Sequence, residues 1–207
     1  YTTAFDLALI TRYALQYPQF ARLVRTRQEE LEWAEGERRD PIANTNRLLW
    51  SFAGADGVKT GTTSEAGHCL VASATRDGRQ LIAVVLRSGD RWGDAAALLD
   101  YGFKTFRLLT LAVEDKPYAT IPVLRGDVAV ASLVPRHRLA VVCRQGEENL
   151  VRLEAVLPRR PLEAPLHPGQ ALGRLTAVYA GQEIEGVDLL PARAVRRRTW
   201  WQRLWGG

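Results

Sequence analysis

Residues 69–75 and 80–86 are two apolar, β-branched runs separated only by Arg76-Asp77-Gly78-Arg79. Asp-Gly accepts the positive φ angles of a tight two-residue turn, so the three pieces predict an antiparallel hairpin. Residues 57–62 have strand character just upstream, and residues 95–109 carry Leu98, Leu99, Phe103 and Phe106 at helical spacing. Three antiparallel strands followed by a long amphipathic helix predict a sheet covered by helices, an α+β arrangement.

Upstream of that block, Thr3-Ala4-Phe5-Asp6 reads as a capping box opening a helix. Pro18 ends it and opens a second, shorter helix. Residues 29–33 read as a short strand, residues 35–41 as a polar turn, and residues 46–50 as a single helical turn. After Thr110 the texture changes. Short strand-like runs at 128–130, 139–142, 150–153 and 175–179 alternate with Gly and Pro, which predicts a small β-sandwich or barrel. The expected organisation is therefore residues 1–110, residues 111–192 and a tail over 193–207.

The net charge of +5 is localised. Arg193, Arg196, Arg197, Arg198 and Arg203 carry it, no Asp or Glu follows Asp188, and residues 1–190 are formally neutral. A neutral body argues against nucleic acid as partner and a basic tail argues for an anionic surface. In that tail Trp200 and Leu204, and Trp201 and Trp205, are spaced i,i+4. Arg and Trp on one short helix suit a membrane surface, because a lipid interface removes the cost of exposing indole rings. The competing reading is a disordered basic tail, or one docked on a partner. No apolar run is long enough to span a bilayer. Cys69 and Cys143 are too far apart to suggest a disulfide framework, and His68, His137 and His167 form no ligand spacing, so no metal or cofactor is expected.

The chemistry-bearing feature is Lys59-Thr60-Gly61, with Thr62 after it and Asp56-Gly57 before. Three letters alone are weak, and Lys59 read in isolation is a solvated strand charge. The surrounding stretches carry more: Asn44-Thr45-Asn46-Arg47-Leu48-Leu49-Trp50, Asp56 through Thr63, Ala66 through Thr75, Leu81 through Leu86, Tyr1 through Ala8 and Leu98 through Phe103. Together they resemble the low-molecular-weight penicillin-binding proteins, the serine-type D-Ala-D-Ala carboxypeptidases. The likeness is strong over residues 1–110; the β-region and tail fit the family's layout without a diagnostic motif.

The resemblance implies a penicillin-binding/β-lactamase-like domain, peptidoglycan stem peptides as substrate, β-lactams as ligands, and an exported protein held on the outer face of the cytoplasmic membrane. Within it K-T-G is the third active-site motif. Lys59 is then a catalytic residue; Thr60, Gly61 and Thr62 bind substrate, with the Thr62 N–H an oxyanion donor. A cationic ammonium and a hydroxyl suit the free carboxylate of the substrate peptide, and a bare glycine lets its backbone approach. Asn44 and Asn46 fit a site role or a turn role equally. Arg47 and Arg91 fit carboxylate contacts or surface pairs, and His68 reads as structural.

The family also needs S-x-x-K, with the nucleophile and its base, and S-x-N. Ser51, Ser64, Ser73, Ser88 and Ser132 give neither pattern. The chain thus reads as starting inside a longer protein, its missing N-terminal part the expected partner, and as inactive alone. Two other readings compete. A class A β-lactamase needs an E-x-x-L-N loop that residues 1–58 lack; a non-catalytic wall- or membrane-binding module would use a degenerate form of the same scaffold.

Overall fold

The computed structural model of the chain describes residues 1–33 and 38–198, and the backbone divides into two compact units, Tyr1–Thr105 and Phe106 onward. The division falls a few residues before the expected change at residue 110. The reason is local: the helix expected over 95–109 runs over Arg91–Thr105 (α4), and Phe106–Ala112 is a strand (β6) whose partner, β9 (Leu139–Arg144), lies in the second unit.

The first unit opens with α1 (Ala4–Ala14). Its capping box is formed: Asp6 N donates to Thr3 Oγ1 and Thr3 N to Asp6 Oδ2, both at 3.1 Å. Pro18 stands in the first turn of α2 (Pro18–Arg25), where its missing N–H leaves no bond unmade. A two-stranded ribbon follows, β1 (Gln28–Trp33) with β2 (Arg38–Ala43). Residues 38–41, expected in a polar turn, belong to β2. Pro41 is compatible with that because β2 has a neighbour on one side only among the described residues. The single helical turn is α3 (Leu48–Ser51), with Leu48 and Leu49 buried.

The expected sheet is formed by β3 (Ala55–Thr63), β4 (Gly67–Arg76) and β5 (Arg79–Val85), all antiparallel in the order β3-β4-β5. Asp77 and Gly78 turn the β4–β5 hairpin with φ of 50° and 72°. One face of this sheet packs against α4. Leu70, Ala72, Ala74, Ala83 and Val85 from the strands meet Ala95 and Leu99 from the helix in one buried cluster. The close approach needs Gly102, where a Cβ would come within 2.7 Å of Leu81 Cδ1.

The second unit is all-β. Its larger sheet has the order β10-β12-β13-β8-β7-β11, from Val151–Val156, Gly173–Tyr179, Gln182–Pro191, Val130–Pro135, Ala119–Leu124 and Leu162–Glu163. The smaller sheet is β6 with β9. Residues of both sheets, including Leu133, Leu175 and Leu189 from the larger and Ala112, Leu139 and Val141 from the smaller, share one core. Cys143, on β9, is buried, and burial pushes its thiol pKa up, as for a packing thiol.

The expected tail boundary at residue 193 is corrected. Val195 is 1% exposed in that core and bridges Leu166, and Arg197 bridges Gly126. Residues 193–198 are part of the β-unit because an apolar Val anchors them. The expected amphipathic helix over 199–207 lies outside the described residues.

Candidate functional site

β3 pairs with β4 on one side and with no other strand among the described residues, so it is a sheet edge. Its start is clamped by Asp56, whose carboxylate accepts from Ser73 Oγ at 2.6 Å, Thr75 Oγ1 at 2.5 Å and Gln80 Nε2 at 3.0 Å. These donors come from β4 and β5, so one carboxylate ties all three strands.

A second support comes from the loop before α3. Asn46 is fully buried; its Nδ2 donates to Gly57 O at 2.7 Å and its Oδ1 accepts from Leu48 N at 3.2 Å. Asn44 Oδ1 accepts from Asn46 N at 2.9 Å, while Asn44 Nδ2 donates to Thr26 O at 3.0 Å. The two asparagines thereby connect the end of α2, the loop and β3. The turn role and the site-shaping role left open by the sequence are one set of hydrogen bonds.

From that fixed base, Val58 is buried, Lys59 is exposed, Thr60 is half-buried, and Gly61 and Thr62 are exposed. The Lys59 ammonium donates to the Thr60 carbonyl. Thr60 Oγ1 shares a 2.6 Å hydrogen bond with Thr45 Oγ1. A Cβ built on Gly61 would meet nothing within 4 Å, so the face of the strand is open at that residue. The Thr62 hydroxyl lies 3.4 Å from His68 Nδ1, its cross-strand neighbour.

Arg91, left undecided by the sequence, is brought into the same group. Its Nη1 donates to Gly61 O at 3.1 Å, Thr62 Oγ1 at 2.9 Å and Cys69 O at 3.3 Å, and its guanidinium lies over the Trp92 ring at 4.7 Å. No sequence signal marked this contact, because the helix was expected to start at residue 95, beyond Arg91. Thr45 was missed as a partner of Thr60, because nothing in a sequence ties a loop hydroxyl to a strand 15 residues away.

Two cavities lie in this unit, and residues of β3 line the first of them. One, of about 410 Å³, is apolar and is lined by Ile10, Val24, Val58, Thr60 and Leu86 among others. The other, of about 520 Å³, is polar and is lined by Thr45, Arg47, His68, Asp90, Arg91 and Trp92 among others. An edge strand offers unpaired N–H and C=O groups, so an extended peptide can add to it as a further strand while its end meets a cation. Among the described residues no group of His, Cys, Asp and Glu side chains is arranged to hold a metal ion, and no helix is long and apolar enough to cross a membrane.

Comparison with known proteins places both units. Residues 1–89 match the D-alanyl-D-alanine carboxypeptidase family and residues 106–197 match the penicillin-binding protein 5 C-terminal domain. The chain is 32% identical to D-alanyl-D-alanine carboxypeptidase DacC of Escherichia coli over 210 residues, which is 99% of this chain and 51% of that protein. It is 29% identical to DacF of Bacillus subtilis over 88% of this chain and 47% of that protein. Penicillin-binding protein 5 of Haemophilus influenzae shares the fold with a TM-score of 0.75 at 27% identity, covering 95% of this chain and 57% of that one. The chain thus spans about half the length of the curated relatives it matches. With an α+β peptidase portion followed by an all-β domain, it belongs to the D-alanyl-D-alanine carboxypeptidases of the low-molecular-weight penicillin-binding proteins.

Proposed function

We propose that the whole protein removes the terminal D-Ala from peptidoglycan stem peptides, and that β3 of this chain is the substrate-binding wall of its active site. The observation that carries this reading is an open sheet edge presenting an ammonium, a hydroxyl and a bare glycine in succession at Lys59, Thr60 and Gly61. The stem peptide adds to that edge as a strand, its terminal carboxylate meeting Lys59 and the Thr60 hydroxyl. Arg91 holds the Gly61 carbonyl and the Thr62 hydroxyl, which fixes the strand and brings a second cation near the carboxylate. The Thr62 N–H is one donor to the oxyanion.

The reaction has two steps. A serine hydroxyl attacks the penultimate D-Ala carbonyl, the terminal D-Ala leaves with the proton on its amine, and an acyl-ester remains. Water then attacks that ester and regenerates the serine. No serine of these 207 residues stands in S-x-x-K or S-x-N, so the nucleophile and its base come from a part of the protein outside them. β-Lactams acylate the same serine. The protein works outside the cytoplasmic membrane, attached peripherally through the Trp- and Arg-bearing residues 199–207.

The test is release of D-Ala from a synthetic stem pentapeptide by the full-length protein. Lys59→Ala lowers kcat/KM by about 10²-fold or more, with the fold retained by circular dichroism. Unchanged release would refute the role given to β3 and favour a non-catalytic binding module.

A further inference from the structure

His68 has no part in the chemistry described so far, yet it touches the residues that do. It is exposed, it stands directly across from Thr62 in the β3–β4 pairing, and it lines the polar cavity with Arg47, Asp90 and Arg91. Residues directly opposite each other on an antiparallel pair share a face of the sheet, so the register itself sets this imidazole beside the Thr62 side chain. The backbone of His68 is held as well, since Ser88 N donates to its carbonyl at 3.0 Å.

The Thr62 hydroxyl lies between two nitrogens. Arg91 Nη1 donates to its Oγ1 at 2.9 Å, and His68 Nδ1 lies 3.4 Å from the same oxygen. A guanidinium can only donate, so the hydroxyl accepts from Arg91 and keeps its own proton to give away. His68 Nδ1 takes that proton's hydrogen bond when the neutral ring carries its hydrogen on Nε2. Arg91, Thr62 and His68 then form one directed chain, from guanidinium to hydroxyl to imidazole. The same Nη1 holds the Gly61 carbonyl at 3.1 Å, so the chain grips β3 at two successive residues.

We infer that His68 is a positioning residue for acyl transfer, whose neutral ring orients Thr62 and whose protonated ring lets it go. The inference rests on the reading of β3 as the substrate wall, with the Thr62 N–H as an oxyanion donor. Protonation puts a hydrogen on Nδ1, so the ring no longer accepts from the hydroxyl. It also sets a second cation against the oxygen that Arg91 already holds, and like charges that close repel. The charges on the surrounding elements do not offset this. Arg47, before α3, and Arg91 are cations of the same cavity, and Arg87, after β5, runs beside Gly67. Lys59 alternates to the other face of β3. Among the acids, Asp90 Oδ1 is engaged by Gly93 N at 3.0 Å, Asp94 Oδ2 by Ser88 Oγ at 2.5 Å, and Glu65 is exposed in the β3–β4 turn.

The test is the pH profile of D-Ala release from a synthetic stem pentapeptide by the full-length protein, between about pH 5 and pH 8, where histidine changes charge. Wild type, His68→Asn and His68→Phe are compared, and the Thr62 amide is followed by NMR in threonine-labelled samples of the first two. At the alkaline end His68→Phe lowers kcat about tenfold with KM little changed, because a displaced oxyanion donor weakens the transition state more than the bound substrate. His68→Asn restores most of that loss, since its amide oxygen supplies an uncharged acceptor near the place of Nδ1. On acidification wild type loses about tenfold more kcat than His68→Asn, which has no ring to charge. The Thr62 amide resonance moves with pH in wild type and stays still in His68→Asn. The inference is overturned if the wild-type and His68→Asn profiles coincide, if His68→Phe matches wild type at the alkaline end, or if the pH shift of the Thr62 amide survives His68→Asn. Should the protein release no D-Ala at all, the substrate-wall reading falls, and the amide titration alone decides whether His68 governs Thr62.

Discussion

Asn46 is 0% exposed, and its side chain bonds two backbone groups, Gly57 O and Leu48 N, rather than Lys59, Thr60 or Gly61. Its value is positional, because it holds the Gly57 carbonyl two residues before Lys59. Replacing Asn46 by Ala leaves that carbonyl and the Leu48 N–H buried without partners, at a cost of about 2–3 kcal/mol in chemical denaturation. Asn46→Asp sets a buried carboxylate oxygen against the Gly57 carbonyl and costs at least as much as Ala. At this scale the sequence was readable only in part. Lys59 through Thr62 stood out by motif and Asp77-Gly78 by turn chemistry. The partners Thr45, Ser73 and Arg91 did not, since each meets its target through a three-dimensional crossing that no spacing encodes.

Elements were legible where a local rule dominates. Thr3 and Asp6 cap α1, Pro18 opens α2, and Asp77-Gly78 turns β4 into β5. They failed where tertiary pairing overrides local pattern. Phe106, Leu108 and Leu109 continue a helical periodicity from α4, but pairing with Arg144, Val142 and Val141 across β9 draws them into a strand. Residues 38–41 look like a turn by composition and are held as strand by pairing with β1. α4 packs on β4 and β5, and Leu99, 1% exposed, is central to that packing. Leu99→Ala therefore destabilises the first unit by about 3–5 kcal/mol in urea unfolding. A change below 1 kcal/mol would mean the helix does not secure the sheet.

For the whole molecule, the α+β character of the first unit and the all-β character of the second followed from sequence texture, and the match to the carboxypeptidase and C-terminal domain families agrees with both. The limits of the second unit were harder to read. Val195 sits in a run of arginines that looks like free tail, and only its burial against the β-core shows that the domain extends past residue 193. Three of the five arginines that carry the charge asymmetry, Arg196, Arg197 and Arg198, lie on one short ladder of the β-unit. In the other unit we propose β3 as one wall of an acyl-transfer site whose serine lies outside these residues. Intact-mass measurement after incubation with a reporter penicillin tests it most directly. The expected result is a covalent adduct on the full-length protein, slower to form in Lys59→Ala, and none on the 207-residue chain alone. A stable adduct on the isolated chain, or acylation of the full-length protein that is indifferent to Lys59, would contradict it.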